Sequence, residues 1–143
     1  MAKSSTFALE IISPQGIIFN GDAESVTLPV KDERIMILPN HTPIFTKLYE
    51  GEIEIKKDNK YTTVVISGGF LEVKHNSVHI LSDYAIRAES IEIAKAEARL
   101  KMAEQKIKQK LENEEFTIAD KDLRLSILEL KVAQKMRKRQ RAE

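Results

Sequence analysis

The chain has 143 residues, of which 42% are hydrophobic and 31% charged, and its formal net charge is +1. This composition allows a core, while a cysteine count of zero excludes disulfides, a thiolate metal site and a cysteine nucleophile. No apolar run approaches the roughly 20 residues of a membrane-crossing helix, and the first residues do not form the apolar segment of a secretory signal. We expect a protein of the cytoplasmic or stromal side.

Short stretches of β-forming residues, separated by turn residues, fill the chain from Thr6 to Tyr84. Their alternation of apolar and polar side chains predicts strands at residues 6–12, 17–19, 25–28, 52–57, 61–67, 70–74 and 77–82. Since no helical stretch lies between these strands, they indicate a sandwich or barrel rather than a parallel sheet. The sequence therefore predicts an α+β protein in two parts, with an antiparallel β-sandwich over residues 1–86.

The turn residues between these strands carry their own predictions. Ser13–Gly16 is typical of a turn, and Asn20-Gly21 is the strongest two-residue hairpin signal in the chain. Asp58-Asn59 and His75-Asn76 predict two further turns between strands. Gly68-Gly69 is not followed by a helix that could bind phosphate, so it indicates a bulge or a close approach of two backbones.

A corner between two prolines interrupts the β-region after the apolar run Ile35–Leu38. Pro39 and Pro43 each fix a φ angle and bias the preceding residue toward an extended conformation. Asn40 and His41 are therefore expected in a short, stiff and exposed segment at one end of the sheet. The alternative is that this corner only turns the chain.

The hydrophobic period changes after Tyr84 and predicts a C-terminal antiparallel hairpin of two helices over residues 87–143. Ser90 is expected to cap the first helix, and Thr117–Asp120 resembles a capping box that begins the second. The first helix has a narrow, alanine-rich apolar stripe that would let a partner helix approach closely: Ile93, Ala96, Leu100, Ala103, Ile107 and Leu111. The second has a broader stripe: Leu123, Leu125, Ile127, Leu128, Leu130, Val132 and Met136.

Charge is distributed unevenly, with a net −3 up to Glu89 and +4 from Ser90 onward. The end of the second helix has a basic face that favours an acidic partner: Lys131, Lys135, Arg137, Lys138 and Arg139. We predict no catalytic residue and no metal site. His75 and His79 would lie roughly 13 Å apart along a strand, which is too far to share one metal ion.

Five motifs occur in order along the chain: Ile12–Gly16, Ile37–Pro43, Gly51–Ile53, Ser67–Val73 and Val78–Ala85. Together with the helical tail they resemble the epsilon subunit of F-type, proton-translocating ATP synthases. The resemblance covers nearly the whole chain and is densest from Ile37 to Ala85.

This resemblance implies a non-catalytic rotor subunit of the central stalk, which couples proton flow to ATP synthesis. It implies that the sandwich binds the gamma subunit and stands on the ring of c subunits. The matching ring-contact positions are Lys31, Asp32, Glu33, Arg34 and His41. The expected location is the cytoplasmic face of the bacterial inner membrane, as a peripheral protein, with the plastid thylakoid as the alternative.

The hairpin of bacterial relatives either folds against the sandwich or extends beside gamma toward the alpha and beta subunits, where it inhibits ATP hydrolysis. The basic face would contact an acidic loop of the beta subunits. Some relatives bind regulatory ATP on the compact hairpin, and the matching candidates are Glu92, Lys95, Arg99 and Arg124. No other cofactor is expected.

A second hypothesis is a small nucleic-acid-binding β-domain with a basic helical tail. The tail fits that hypothesis, but the β-region is acidic and does not interleave surface aromatics for base stacking. We therefore expect no nucleic-acid partner.

Overall fold

The computed structural model describes residues 5–109 and 113–142. Its internal contacts divide the chain into two units, Met1–Arg87 and Ala88–Glu143. The first unit contains all the strands, and the second contains the helices. The boundary between the units lies one residue beyond the position expected from the sequence.

The strands of the first unit form one eight-stranded sheet. They are β1 (Phe7–Ser13), β2 (Gly16–Ala23), β3 (Ser25–Val30), β4 (Glu33–Ile37), β5 (Ile44–Lys57), β6 (Lys60–Lys74), β7 (Ser77–Leu81) and β8 (Ala85–Arg87). The strand order is β2-β1-β7-β6-β5-β3-β4, with β8 paired to β6. The predicted fold class is confirmed, with one correction: β1 and β7 pair in parallel, so the sheet is mixed rather than antiparallel.

Gly68 and Gly69 mark the point where β6 changes neighbours. Before them β6 pairs with β8, and after them it pairs with β7. Both glycines have positive φ, and a Cβ on Gly69 would lie 2.0 Å from the carbonyl oxygen of Leu81. The predicted close backbone approach is confirmed, because only a residue without Cβ fits at this position.

The core of the first unit is aliphatic and comes from alternate positions of the strands. Its largest side chains, each less than 2% exposed, are Leu9, Ile11, Val26, Leu28, Ile37, Leu48, Ile53, Ile66, Leu71 and Ile80. Burying each of them contributes about 1.5–3 kcal/mol relative to exposure. This cluster draws on every strand and supplies the stability of the first unit.

Two of the predicted hairpin turns are present in the structure, and one is not. Asp58-Asn59 and His75-Asn76 form two-residue hairpin loops with positive φ at both residues, so both turn predictions are confirmed. The Asn20-Gly21 prediction was wrong, because these residues lie inside β2 opposite Glu10 and Leu9. The turn between Ser13 and Gly16 sets the register of β1 with β2, so β2 continues through Asn20-Gly21 to Ala23.

The second unit contains a short 3₁₀ helix (Ala88–Ser90), α1 (Ile93–Lys108) and α2 (Asn113–Ala142). As predicted, α1 and α2 form an antiparallel hairpin, but both predicted caps were wrong. The N-cap of α1 is Glu92, without a side-chain cap bond, rather than Ser90. Helix α2 begins at Asn113, so Thr117 lies inside it. Glu114 and Glu115 favour this earlier start, since acidic groups in the first turn stabilise the helix dipole.

The buried face of α2 differs from the predicted stripe. Leu125, Leu128 and Met136 are only half-buried, and Ile127 is exposed. Of the predicted stripe only Leu130 and Val132 are buried, and small or polar residues occupy the other buried positions: Ala119, Ser126, Glu129 and Ala133. On α1 the buried members of the predicted stripe are Ala96 and Ala103, while Leu111 lies outside the described residues.

Candidate functional site

The two-proline corner is tied to a neighbouring turn. Asn40 has a φ of 62°, and its N–H donates to the side-chain oxygen of Asn76 at 2.8 Å. The side-chain amide of Asn76 in turn donates to the carbonyl oxygen of Thr6 at 3.0 Å. The imidazole Nδ1 of His41 lies 2.7 Å from the carbonyl oxygen of Thr42. These bonds hold the corner in one conformation while leaving Asn40 exposed.

The turn between β3 and β4 contains Lys31 and Asp32, two of the predicted ring-contact residues. Lys31 and Glu33 line an open groove of about 370 Å³. Ile35 and Ile44 line the same groove, which gives it apolar walls beside charged groups. His41 lies three residues before Ile44, so the turn and the chain leaving the corner meet at this groove.

Arg34 lies on the opposite face of β4 from these residues. Its guanidinium Nη2 is 3.5 Å from the carbonyl oxygen of Glu52 and 3.9 Å from the carboxylate of Glu54. It lines a separate groove of about 530 Å³ together with Met36. Because successive side chains of a strand point to opposite faces, the structure groups Lys31 with Glu33 and separates both from Arg34.

An exposed apolar row crosses five neighbouring strands of the sheet. Phe45 and Phe70 stack with ring centroids 5.9 Å apart, and Phe70 lies opposite Leu81 in the ladder. Leu81 pairs with Ile12, and Ile12 pairs with Ile17. We call these residues the apolar row: Phe45, Phe70, Leu81, Ile12 and Ile17. Phe45 is 70% exposed and Ile17 is 60% exposed, so the row faces away from the core.

The apolar row was not predicted from the sequence. Its members occupy the positions that alternation assigns to the outer face, where single apolar residues are ordinary. Only the ladder of β5, β6, β7, β1 and β2 brings them side by side, through the parallel β1–β7 pairing that the sequence did not predict. Phe45 reaches Phe70 diagonally, from the neighbouring rung, where it lies opposite Glu72. The rest of that rung is polar, with His79 opposite Glu72 and its Nδ1 3.6 Å from the Glu10 carboxylate.

The predicted basic face of α2 is divided by the helical geometry. Lys131, Lys135, Lys138 and Arg139 line one open groove of about 460 Å³ together with Gln134. Arg137, the fifth predicted residue, is exposed but does not line that groove. A residue six positions after Lys131 is rotated by about 240° around the helix, which explains why Arg137 lies elsewhere.

Each of the three cationic ATP candidates contacts a carboxylate of the hairpin. Lys95 lies 3.1 Å from the fourth candidate, Glu92, and Arg124 lies 3.4 Å from Asp120. The guanidinium of Arg99 contacts the buried carboxylate of Glu129. Regulatory ATP at this position stays a prediction, and a nucleotide there would have to compete with these carboxylates.

The described residues contain neither a group of metal ligands nor a helix able to span a membrane. Within residues 5–109 and 113–142, no three His, Asp or Glu side chains are grouped as ligands for a metal ion. None of the helices in the described part of the chain combines the length and apolar character that crossing a membrane requires.

The class of protein follows from a match to a known family. A family profile described as ATP synthase, Delta/Epsilon chain, beta-sandwich domain matches residues 6–88. Together with the fold, this match defines a non-catalytic subunit of the ATP synthase type. The chain belongs to the ATP synthase epsilon chain family.

Individual relatives agree with this assignment. The ATP synthase epsilon chain of Pelotomaculum thermopropionicum is 38% identical over 108 residues, which cover 76% of this chain and 81% of the relative. That of Roseiflexus sp. is 46% identical over 90 residues, covering 63% and 65%. These relatives give no support to the alternative of a nucleic-acid-binding domain.

Solved structures share the fold. A chain of the Euglena gracilis mitochondrial ATP synthase, in a structure of its OSCP, F1 and c-ring, superposes with a TM-score of 0.73 at 22% identity, covering 94% of this chain and 84% of that one. A chain of the Tetrahymena thermophila central stalk and c-ring superposes with a TM-score of 0.59 at 15% identity, covering 92% and 99%.

Proposed function

We propose that this chain is a rotor subunit of an F-type ATP synthase, which couples proton flow through the c-ring to ATP synthesis and restrains ATP hydrolysis. Its relatives are named ATP synthase epsilon chain, and its structural neighbours belong to ATP synthase assemblies that contain a c-ring. As a peripheral subunit it would work at the cytoplasmic face of the bacterial inner membrane.

The apolar row is the observation that carries this proposal, as the surface that binds the gamma subunit. Contiguous exposed apolar patches on a soluble domain mark protein interfaces. The row crosses five strands, and its stacked Phe45 and Phe70 are the aromatic type that dominates binding energy at interfaces. The polar rung of Glu10, Glu72 and His79 beside it would form part of the rim.

Co-purification with gamma tests this docking surface. The double variant Phe45→Ser/Phe70→Ser should weaken gamma binding by at least about 30-fold, since an aromatic hot spot contributes roughly 2 kcal/mol or more. Tyr61→Ser is the matched control, because Tyr61 is an exposed aromatic that lines the groove of Arg34 and Met36 instead. Wild-type affinity in the double variant would contradict the assignment.

We propose the groove at the β3–β4 turn as the centre of the c-ring contact. Lys31 and Glu33 line the groove, and Asp32 lies between them in the turn. His41 lies three residues before Ile44, which also lines it. Arg34 would contribute less, because it faces Glu54 on the other side of β4. Each exposed ion pair with the ring would contribute about 0–1 kcal/mol.

A paired charge reversal tests that placement. Lys31→Glu should reduce retention of the c-ring by the assembled rotor, and the loss should shrink at high salt because exposed charges are screened. Arg34→Glu should have the smaller effect on retention. A larger loss for Arg34→Glu than for Lys31→Glu would move the contact to the other face of β4.

We propose that the basic groove of α2 contacts an acidic surface of the alpha and beta subunits when the hairpin extends. Replacing Lys131, Lys135, Lys138 and Arg139 by Gln should raise ATP hydrolysis by the assembled enzyme several-fold, since several screened contacts of a few tenths of a kcal/mol each would be lost. Arg137→Gln is the control with the same charge change outside the groove. Unchanged hydrolysis in the quadruple variant would end this proposal.

A further inference from the structure

Glu129 is a buried charge at the centre of the helical hairpin. Its exposed fraction is 0%, and the neighbouring residues Ser126, Leu130 and Ala133 of α2 are also buried. A carboxylate in such a position is unfavourable unless a charged or hydrogen-bonding partner compensates for the lost water. None of the docking surfaces described above uses this residue, so its place in the core needs its own explanation.

Arg99 of α1 supplies a partner across the helix interface. Its guanidinium contacts the Glu129 carboxylate, from a residue 30 positions away in the chain. The pair therefore depends on α1 and α2 lying side by side. By contrast, Glu92–Lys95 and Asp120–Arg124 join neighbours three and four positions apart, so these contacts persist when the helices separate.

We propose that the Arg99–Glu129 pair is a register lock that closes the hairpin in one alignment while keeping it able to open. A buried ion pair adds little stability relative to a well-packed apolar pair, yet removing one partner alone is strongly destabilising. A closed hairpin with the helices in another alignment would bury Glu129 away from Arg99, so the pair opposes that alignment. When the helices separate, water solvates both charged groups. Opening therefore costs less free energy than it would with an apolar pair at these positions.

The lock predicts that replacing Arg99 alone opens the hairpin and that replacing both members of the pair does not. Arg99→Leu leaves the Glu129 carboxylate buried without this guanidinium and should favour the open hairpin. Arg99→Leu/Glu129→Leu replaces the charges by two apolar side chains and should hold the hairpin closed at least as firmly as in the wild type. An interface that needed only apolar contact would give no such reversal.

Distance measurement on the full chain tests the lock. Because the chain contains no cysteine, Lys101→Cys and Lys121→Cys place one spin label on each helix at exposed positions. We expect Arg99→Leu to raise the ratio of open to closed hairpin about tenfold, a value reduced from that of a fully buried pair because the Arg99 side chain is 47% exposed. The double variant should return the ratio to the wild-type value or below it.

Two control variants separate opening of the hairpin from general loss of structure. Asp120→Asn removes an ion pair within α2 and should leave the distance distribution unchanged. If Arg99→Leu loses its helical circular dichroism, the milder Arg99→Gln is measured instead and should open the hairpin several-fold. An unchanged ratio in the single variant, or equal opening in the single and double variants, would overturn the lock.

The consequence for hydrolysis rests on the proposed rotor function. If hairpin extension restrains hydrolysis, Arg99→Leu should lower the ATP hydrolysis rate of the assembled enzyme, and the double leucine variant should hydrolyse ATP at least as fast as the wild type does. The spin-label distances are measured on the free chain, so they test the lock even if the rotor assignment fails.

Discussion

The β-sandwich and the helical hairpin of this chain are stabilised in different ways. The sandwich encloses a continuous aliphatic core contributed by all its strands. The hairpin buries mainly small side chains, together with one carboxylate that contacts an arginine of the other helix. The first arrangement suits a body that keeps its shape as it turns with a rotor. The second suits an element that closes specifically and opens at low cost.

The surfaces differ in the same way. The sandwich exposes an apolar row that crosses five strands, whereas the groove of the hairpin is lined by cationic side chains. Salt does not screen apolar contacts, whereas it weakens contacts between exposed charges. We therefore expect the sandwich to hold its partner permanently and the hairpin to make contacts that change with conditions.

The largest expected effect concerns the rigidity of the sandwich at Gly69. Gly69→Ala would place a Cβ 2.0 Å from the carbonyl oxygen of Leu81, so the backbone between β6 and β7 must shift. We expect a loss of more than about 4 kcal/mol in the free energy of unfolding, measured by urea denaturation. Gly21→Ala, where the nearest atom lies 3.7 Å away, should change stability by less than about 1 kcal/mol. Similar values for both would disprove the close approach.

Truncating one leucine in each unit tests the contrast between the two cores. Leu28→Ala in the fully buried sandwich core should lower the free energy of unfolding by about 2–5 kcal/mol. Leu128→Ala in α2, where the side chain is half-buried, should cost less than half as much. Both variants are compared by urea denaturation followed through circular dichroism. Equal losses would show that the hairpin is as firmly packed as the sandwich.

A smaller effect is expected at the turn that supports the two-proline corner. Asn76→Ala loses hydrogen bonds to Asn40 and Thr6 and places alanine at a φ of 57°, so we expect a loss of about 2–3 kcal/mol in unfolding free energy. Asn59→Ala is the control, because Asn59 has a similar φ of 61° in the turn between β5 and β6. The difference between the two losses measures how strongly the corner is held, and no difference would refute that support.

The smallest effects should come from the exposed ion pairs of both units. Arg34→Ala removes a contact of 3.9 Å with Glu54, and Lys95→Ala removes one of 3.1 Å with Glu92. Each should change the free energy of unfolding by less than about 1 kcal/mol, and less still in high salt. A loss above 2 kcal/mol at either position would require a role that these contacts do not explain.

Local chemistry predicted much of the fold but not its register. The turns at Asp58-Asn59 and His75-Asn76 follow from residues that tolerate positive φ, whatever the rest of the chain does. Asn20-Gly21 has the same chemistry, yet a turn four residues earlier already fixes the strand through it. The parallel pairing of β1 with β7 joins residues far apart in sequence, so no local pattern could reveal it.

The candidate functional surfaces could likewise be predicted only where they depend on residues close together in the sequence. The two-proline corner could be predicted because proline restricts its own segment. The apolar row could not, since its members are single outward residues until the ladder aligns them. Glu129 would be assigned to solvent from its residue type, because its partner Arg99 lies on the other helix. The stripe predicted for α2 therefore coincides with the buried face only at Leu130 and Val132.

The most direct test of the account compares ATP hydrolysis by the assembled catalytic complex containing gamma, with either the full chain or residues 1–87 bound. The sandwich should still bind gamma through the apolar row, so occupancy by the two forms should be equal in sedimentation. The full chain should lower the hydrolysis rate several-fold, and residues 1–87 should leave it close to the rate of the complex without this subunit. Equal inhibition by both forms, or failure of residues 1–87 to bind, would contradict the division into a docking sandwich and a regulatory hairpin.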